Sequence, residues 1–320
     1  MTINNMIGSL LAQELLKGSR LALAKSITLI ESSNPVHRKE ALSLLQNLKA
    51  RHNTLRLGIC GSPGAGKSTL IEALGLHIIG KGENLAVLAI DPSSPTIGGS
   101  ILGDKTRMSQ LSVHPKAYIR PSPTLGILGG VTVSCSETIT LCENGGFSNT
   151  IVETVGLGQS ETTVDEVTDL VMFVTTPAGG DSLQGIKKGI MEVADLIVVN
   201  KADGPLKERA KNSKFELEQA IKLNLNRYDF KPEVLLCSAA NKENIEGVWN
   251  GVLKAREKLG KEVVNKRARQ VRQNTVRMLE SLIRIKMREM EGMPEYRIIT
   301  QGEWPRANAE ELLNLLIKKS

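Results

Sequence analysis

The sequence predicts an α/β fold built on a doubly wound, mostly parallel sheet, with helical extensions at its N- and C-terminal ends. Short apolar runs of strand length alternate with helix-length segments through the middle of the chain, which is typical of a sheet covered by helices on both faces. The two ends show only helical periodicity. The 320 residues suffice for such a core with accessory elements. We divide the chain into an N-terminal extension of residues 1–53, a core of residues 54–259 and a C-terminal extension of residues 260–320.

The N-terminal extension should contain three helices. Leu23, Ile27 and Ile30 lie on one face of the second helix, and Asn34 followed by Pro35 is a typical start for the third. The apolar faces predicted for the first and third helices are Ile7, Leu10, Leu11 and Leu15, and Ala41, Leu44, Leu45 and Leu48.

The core should contain six strands. The first alternates apolar residues at Leu55, Leu57 and Ile59 with Arg56 and Gly58. The others are continuous apolar runs, as expected for strands buried on both faces. They span residues 85–90, 150–152, 170–175, 196–199 and 234–237.

The C-terminal extension begins near Lys261. A long helix should carry one apolar stripe and end at Gly292 and Pro294, before a last helix at residues 308–319. The stripe consists of Leu279, Leu282, Ile283 and Met287. We expect these helices to bury their apolar faces on the core or on a second subunit.

Composition excludes several classes of protein. Aromatic residues make up only 3%, too few for stacking along single-stranded nucleic acid. No apolar run is long enough to span a membrane, and no apolar signal-peptide core precedes the first helix. The four cysteines, Cys60, Cys135, Cys142 and Cys237, form no C-x-x-C pair, which argues against a disulfide framework or zinc knuckle. We expect a cytoplasmic protein, or one of the mitochondrial matrix if the source is eukaryotic.

The net charge of +7 is concentrated in one segment. Residues 254–288 carry twelve Lys or Arg against three Glu, so this stretch alone has a charge of +9. An anionic partner such as nucleic acid is one explanation. We favour the other, the solvated face of a long helix, and consider nucleic acid an improbable partner.

A complete G-x-x-x-x-G-K-[ST] motif follows the first strand and precedes an apolar helix, which is the context this phosphate-binding loop requires. Its backbone N–H groups and the helix N-terminus would surround nucleotide phosphates. Lys67 would reach the β- and γ-phosphates, and Ser68 would ligate Mg²⁺. The core is therefore predicted to be a P-loop NTPase. The motif with the residue after it is Gly61, Ser62, Pro63, Gly64, Ala65, Gly66, Lys67, Ser68 and Thr69.

Two carboxylates follow strands whose carboxyl ends should meet the P-loop, because parallel strands end at one edge of the sheet. Asp91 ends the second strand, and Glu153 ends a later one in a Glu-Thr-Val-Gly run. Gly156 of that run would contact the γ-phosphate through its N–H. Asp104 is a further metal-ligand candidate, on position alone.

The N-K-x-D pattern at Asn200, Lys201 and Asp203 predicts guanine specificity. One carboxylate, Asp203, can accept hydrogen bonds from both N1–H and the 2-amino group of guanine, and adenine offers neither donor there. Lys201 would lie against the base, and Asn200 would tie this loop to the P-loop. A backbone N–H in the run Ser238, Ala239, Ala240, after a further strand, could contact the guanine oxygen. GTP and GDP are the expected nucleotides, with Mg²⁺.

Loops rich in Gly, Ser and Pro at residues 91–103 and 121–130 are either surface turns or switch loops that order around the γ-phosphate. Residues 177–189 are a third candidate. No general base can be identified. Gln159 is a candidate to position water, and Lys187 or Lys188 could neutralise developing charge.

Together these segments resemble the MeaB/MMAA family, also called ArgK, of GTPases that act as chaperones of coenzyme-B12-dependent acyl-CoA mutases. The resemblance covers residues 15–260. The segments that carry it are residues 22–31, 61–69, 91–94, 98–108, 119–123, 153–161 and 183–189.

The resemblance implies a homodimeric GTPase whose residues Asp91, Asp104 and Glu153 surround Mg²⁺ and whose residues 184–189 form a third switch. It also implies a regulator that gates adenosylcobalamin loading and protects or reactivates the mutase, with methylmalonyl-CoA mutase the expected client. The C-terminal extension would be the dimerisation arm. Two alternatives remain open: a kinase of a transport protein, and a nickel-insertion GTPase, although the histidines and cysteines are scattered.

Overall fold

The computed structural model describes residues 4–32, 34–90, 108–122, 130–154, 160–177, 193–223, 231–301 and 304–318. Its strands are β1 (Leu55–Gly61), β2 (Leu85–Ile90), β3 (Ala117–Ser122), β4 (Asn149–Thr154), β5 (Leu170–Thr175), β6 (Leu196–Val199) and β7 (Glu233–Leu236). Its helices are α1 (Asn4–Leu16), α2 (Arg20–Glu31), α3 (Pro35–Gln46), α4 (Lys67–Gly80), α5 (Ser109–Ser112), α6 (Gly130–Asn144), α7 (Ser160–Asp165), α8 (Lys207–Leu223), α9 (Ile245–Leu259), α10 (Lys261–Glu291), α11 (Pro294–Thr300) and α12 (Pro305–Lys318).

The strands form one parallel sheet in the order β3-β2-β4-β1-β5-β6-β7. Side chains alternate along β1, so Leu57 and Ile59 pack with α4 and α9 on one face while Cys60 points to the other. The second face is covered by α2, α6 and α8. The doubly wound α/β fold with helical extensions is therefore confirmed.

The edge strand β3 pairs with β2 from Ala117 to Ser122 and was not predicted from the sequence. Pro121 lies within it and was assigned to a loop, because proline cannot donate to a sheet ladder. The edge position explains why proline is tolerated, since only one side of this strand is paired.

The first helix matches the predicted stripe only in part. Leu15 of that stripe is buried and Leu11 packs partly buried against the core, but Ile7 and Leu10 are about half exposed, and Ala12 is buried instead. Gly8 permits this orientation, since a Cβ there would lie 2.3 Å from the Glu40 carbonyl oxygen of α3. Close approach of two helix backbones, rather than apolar pattern, sets the rotation of α1.

The second and third helices match the predictions. Leu23 and Ile27 are buried in the same apolar cluster as sheet residues. Asn34 caps α3, because its Oδ1 accepts from the Val36 N–H at 2.9 Å. The N-terminal helices and the sheet therefore share one core.

The long helix α10 inverts the expected amphipathic arrangement. Its inward face includes the buried polar residues Lys266, Gln270 and Asn274. The predicted apolar stripe of Leu279, Leu282, Ile283 and Met287 is exposed on the described chain. The basic segment is thus not simply a solvated face, contrary to our preferred explanation. None of the described helices is long and apolar enough to cross a membrane.

Candidate nucleotide-binding site

The P-loop turns sharply at the carboxyl end of β1, and glycines make the turn possible. Gly61 has φ +147°, and a Cβ there would lie 2.0 Å from the Val174 carbonyl oxygen of β5. Gly64 and Gly66 have φ of +74° and +81°, a region that L side chains rarely adopt. A Cβ on Gly66 would also lie 2.7 Å from Asn200 Nδ2. The loop therefore needs glycine for both its conformation and its packing.

The motif residues are brought together around the start of α4. Lys67 is the first residue of this helix, and Ser68 and Thr69 complete its first turn. Gly66 at the N-cap makes no side-chain capping bond, so the first backbone N–H groups face the loop without a side-chain acceptor from that position. The loop before them contains Gly61, Ser62, Pro63, Gly64, Ala65 and Gly66.

Lys67 is held over the loop by backbone oxygens. Its Nζ donates to the Gly61 carbonyl at 3.0 Å and to the Ser62 carbonyl at 3.3 Å, and the residue is 9% exposed. This fixes a cation beside the convergent N–H groups of the loop. Such an arrangement suits a polyphosphate.

Ser68 and Glu153 meet at the same edge of the sheet. The Ser68 Oγ donates to Glu153 Oε1 at 3.1 Å, and Glu153 lies at the carboxyl end of β4, only 6% exposed. A hydroxyl and a carboxylate are the hard oxygen donors that Mg²⁺ prefers. This pair therefore fits a magnesium ion. The other two predicted ligands, Asp91 and Asp104, lie outside the described residues.

Asn200 connects three loops at the carboxyl ends of the strands. Its Nδ2 donates to the Ala65 carbonyl of the P-loop at 2.8 Å, and its Oδ1 accepts from the Ala239 N–H at 3.0 Å. The Asn200 N–H bonds to the Thr175 carbonyl at the end of β5. With a side chain 2% exposed, Asn200 fixes the loop after β6 against the P-loop.

Lys201 and Asp203 extend from this anchor. Lys201 adopts φ +59° and is exposed, with its Cε passing 3.9 Å from the position a Cβ would take on Gly66. Asp203 precedes a short 3-10 helix, Gly204–Leu206, but its side chain makes no capping hydrogen bond. The Asp203 carboxylate therefore does not cap this helix.

The third loop differs in detail from the sequence expectation. The Ser238 N–H donates to the Glu243 carbonyl at 3.2 Å, and the Ala239 N–H is taken by Asn200. Ala240 is exposed, and no hydrogen bond between described residues engages its N–H. Of the three backbone donors, Ala240 is therefore the one placed to meet a ligand.

The sequence analysis missed the bridge that shapes this loop. Ser238 and Glu243 exchange two backbone hydrogen bonds, at 3.2 and 2.9 Å. Lys242 and Asn244 adopt φ near +58°, and Asn is a residue that tolerates this conformation. The Asn241-to-Asn244 stretch was the available sequence signal for a tight turn.

Burial beside this turn raises the pKa of Cys237 to about 12, so its thiol stays neutral.

The candidate catalytic residues Gln159 and Lys188 lie outside the described residues, as do Lys187 and Gly156. The same holds for the loop at 91–103, most of the loop at 121–130 and most of that at 177–189. Of the predicted catalytic residues, the structure describes Lys67, the first residue of α4, and Glu153, on the strand β4 that pairs with β1.

Comparison with known proteins identifies the class to which this arrangement belongs. Residues 23–291 match the family model described as methylmalonyl Co-A mutase-associated GTPase MeaB. The chain is 51% identical over 244 residues to the probable GTPase Rv1496 of Mycobacterium tuberculosis, covering 76% of this chain and 73% of that protein. It is 46% identical over 263 residues to GTPase ArgK of Escherichia coli, covering 82% and 78%.

The chain is also similar to a mitochondrial protein and to a solved structure. The methylmalonic aciduria type A homolog of Mus musculus is 48% identical over 248 residues, which are 74% of this chain and 60% of the mouse protein. A crystal structure described as LAO/AO transport system kinase superposes with a TM-score of 0.75 at 31% identity, covering 99% of both chains.

Proposed function

Since the chain belongs to the MeaB family of methylmalonyl-CoA mutase-associated GTPases, we propose that it is a GTP-hydrolysing regulator of a B12-dependent acyl-CoA mutase. Methylmalonyl-CoA mutase is the client this family name supports best. In this role the protein gates loading of adenosylcobalamin and protects or reactivates the mutase. The observation that carries the nucleotide part is the contact of Asn200 with both the P-loop and the third loop.

The P-loop holds the phosphates. Backbone N–H groups at the start of α4 donate to phosphate oxygens, and the helix dipole adds positive potential there. Lys67, fixed by the Gly61 and Ser62 carbonyls, neutralises charge that develops on the β- and γ-phosphates during hydrolysis. Ser68 and Glu153 would hold Mg²⁺, which would supply electrostatic stabilisation of the phosphate charge. Water attack then depends on positioning more than on covalent chemistry.

Guanine is selected by Asp203, whose carboxylate accepts from two base donors while Lys201 lies along the base. Ser238, Ala239 and Ala240 contribute the loop whose Ala240 N–H meets the guanine oxygen. Because the cap alternative for Asp203 is absent, its carboxylate has no competing structural role of that kind. A site built on paired polar contacts rejects the wrong base strongly.

The exposed apolar stripe of α10 supports a homodimer through this helix. Leu279 and Leu282 are 56% and 42% exposed on the described chain. Residues 260–320 would then act as a dimerisation arm on the GTPase unit of residues 54–259, with residues 1–53 packed against it. The mouse relative is named as mitochondrial. For this chain we propose the cytoplasm, or the mitochondrial matrix in a eukaryotic source.

The test of the client is steady-state GTP hydrolysis by the purified chain, alone and with apo-methylmalonyl-CoA mutase. Slow basal turnover that rises at least tenfold with the mutase supports the proposal. Basal turnover that is indifferent to the mutase contradicts this client and keeps the GTPase. An unrelated acyl-CoA enzyme at the same concentration is the control for nonspecific protein effects.

The base site is tested by Asp203→Asn. This change should lower GTP affinity at least 100-fold, because the 2-amino group of guanine loses its acceptor. Xanthine carries an oxygen at that position, so the asparagine amide should donate to it and XTP should bind and be hydrolysed. Unchanged GTP affinity, or loss of GTP binding without XTP rescue, would contradict the assignment.

A transport-protein kinase remains the second candidate, because the superposed crystal structure is described as a transport system kinase. That activity transfers the γ-phosphate to a protein acceptor. Radiolabel appearing on an acceptor protein, with ATP as the preferred donor, would favour it over hydrolysis. GTP-dependent release of free phosphate with no labelled acceptor favours the regulator.

A further inference from the structure

One turn of α10 grips the end of the short helix α7 and the turn that follows it. Lys266 Nζ pairs with Asp165 Oδ1 at 2.6 Å and donates to the Asp169 carbonyl at 3.0 Å. Gln270 Nε2 donates to the carbonyls of Asp165 and Thr168, at 2.9 and 2.8 Å. Lys266 and Gln270 are 6% and 5% exposed. We call the inward residues Lys266, Arg267 and Gln270 the α10 clamp.

The third member of the α10 clamp joins the same segment to the start of β1. Arg267 donates to both carboxylate oxygens of Asp169, at 2.7 and 2.6 Å, and to the Thr54 carbonyl at 2.8 Å. Asp169 in turn accepts from the Arg56 N–H of β1 at 2.9 Å. The strand that leads into the P-loop is therefore fixed to α10 at its other end.

The helix α7 depends on these contacts for its position. It has only six residues, too few to be stable alone in water. On its other side it packs directly on β1, since a Cβ on Gly58 would lie 2.4 Å from Val164 Cγ1. The donors of α10 bond to carbonyls at the C-terminal end of α7, where cations and N–H donors are favourable. Five residues separate Thr154, at the end of the strand that carries Glu153, from the first residue of α7, Ser160.

A small cavity lies beside the α10 clamp and is lined by a further chain segment. It has a volume of about 180 Å³ and is bordered by Asp165, Lys266 and Gln270 together with Val193. Val193 is the residue at which the chain after Pro177 returns to the described structure. Both chain segments that leave the nucleotide edge after β4 and β5 thus come back beside the same turn of α10.

We propose that Lys266 and Gln270 are positioning residues through which α10 sets the GTPase rate and distinguishes GTP from GDP. A shift of α10 moves the anchor of α7, and α7 follows the strand that carries Glu153. Coupling is reciprocal, so a nucleotide that favours one position of α7 favours one position of α10. Val264, Val271 and Leu279 face roughly the opposite side of α10 and are more than half exposed, so a partner bound there would act through the clamp.

The inference rests on the nucleotide-binding part of the proposed function and not on the client. Its test therefore uses the isolated chain without mutase. Gln270→Leu keeps the side-chain size and removes both hydrogen bonds to the end of α7. Asn265→Leu is the matched control, because it replaces an exposed amide on the same turn of α10, away from the cavity. Lys266→Gln and the exposed Lys261→Gln form a second pair.

Measurements are kcat and KM for GTP, affinities for GDP and for a nonhydrolysable GTP analogue, and the thermal midpoint. We expect Gln270→Leu and Lys266→Gln to change kcat at least fivefold and the ratio of GTP-analogue to GDP affinity at least threefold, with KM within twofold. The controls should leave all of these unchanged. A lowered thermal midpoint with unaltered kcat and affinity ratio would show a purely structural contact and overturn the proposal.

A measurement on the unmodified chain covers variants that fail to fold. Hydrogen exchange of residues 261–275 is compared with the GTP analogue and with GDP bound. A difference in protection of at least threefold is expected at this turn, with none at the far end of α12. Equal protection in both nucleotide states would overturn the proposal whatever the mutase experiment shows.

Discussion

The charged side chains at the two ends of the central strand β1 have different surroundings. At its carboxyl end, Lys67 donates to the Gly61 and Ser62 carbonyls of the P-loop, and Glu153 accepts from the Ser68 hydroxyl. At its amino end, Arg56 and Arg267 pair with Glu143 and Asp169 in a buried network. Glu143 accepts both Arg56 bonds, at 2.7 and 2.8 Å.

This difference separates charges that serve the fold from charges that serve a ligand. The amino-end network joins the segment before β1, helix α6, the start of β5 and helix α10, so opposite charges cancel where four chain segments meet. The carboxyl end places a cation, Lys67, and a carboxylate, Glu153, beside the P-loop, where a polyphosphate with Mg²⁺ would bind. Removing charge should therefore cost stability at one end and ligand binding at the other.

The largest effect on stability is expected for Asp169→Ala. Asp169 is 1% exposed, and its loss leaves the Arg267 guanidinium buried without its carboxylate. Breaking a buried pair on one side costs about 3–5 kcal/mol of unfolding free energy. Urea unfolding followed by circular dichroism measures it. Glu246→Ala, which removes an exposed pair with Lys81, is the control and should cost far less stability, because solvent screens an exposed pair.

Equal losses of unfolding free energy for Asp169→Ala and Glu246→Ala would contradict the difference between the two ends of β1. The amino-end network would then stabilise the fold no more than an exposed ion pair does. The stronger form of the test is Arg267→Met in the Asp169→Ala background. Because the uncompensated cation is then gone, part of the lost stability should return.

At the carboxyl end the corresponding change is Lys67→Met. It removes a cation from developing phosphate charge, so kcat/KM for GTP should fall about 10²–10³-fold, comparable to removing one preorganised donor. The unfolding free energy of the nucleotide-free chain should fall by less than it does for Asp169→Ala, because the bonds from Lys67 to the Gly61 and Ser62 carbonyls are hydrogen bonds to neutral groups. A stability loss as large as that of Asp169→Ala would erase the distinction between the two ends.

The carboxyl end could be largely predicted from sequence and the amino end could not. The P-loop and the Asn200 to Asp203 loop are contiguous patterns, and a parallel sheet brings the ends of its strands together whatever the details of packing. Arg56 and Asp169 lie 113 residues apart in the sequence, and Asp169 and Arg267 lie 98 residues apart. No local pattern marks such partners, because any exposed arginine or aspartate has the same sequence appearance.

The buried faces predicted from apolar periodicity for α10 and for the start of α1 were wrong, because contacts with other chain segments set the rotation of both helices. The stripe rule assumes that apolar residues face inward, yet α10 turns Lys266 and Gln270 inward because they satisfy the carbonyls at the end of α7. The rule also placed Ile7 inward, whereas Gly8 brings α1 so close to α3 that backbone contact sets its rotation. Periodicity identifies a helix, but bonds to distant chain segments decide which face it buries.

Glu137 on α6 lies outside both ends of β1. It allows a measurement of how much unfolding free energy a carboxylate without a countercharge costs. Burial raises the pKa of Glu137 on α6 to about 7, and no hydrogen bond or ion pair from another described residue reaches it. An unfolded glutamate ionises near 4.5, so between about pH 4.5 and 7 the folded state binds more protons than the unfolded state. Stability should therefore fall as pH rises through this window and level off above it.

Glu137→Gln should remove that pH dependence and leave the variant more stable than the wild type at pH 8, by about 3 kcal/mol at most. At pH 4.5 the two chains should have nearly equal unfolding free energies, because both then carry a neutral side chain. Urea unfolding at pH 4.5, 6 and 8 measures the difference. A variant that is less stable than the wild type at pH 8 would mean that Glu137 is ionised and compensated, like Glu143 in the amino-end network. Buried charge in this protein would then be paired on α6 as well as at the amino end of β1.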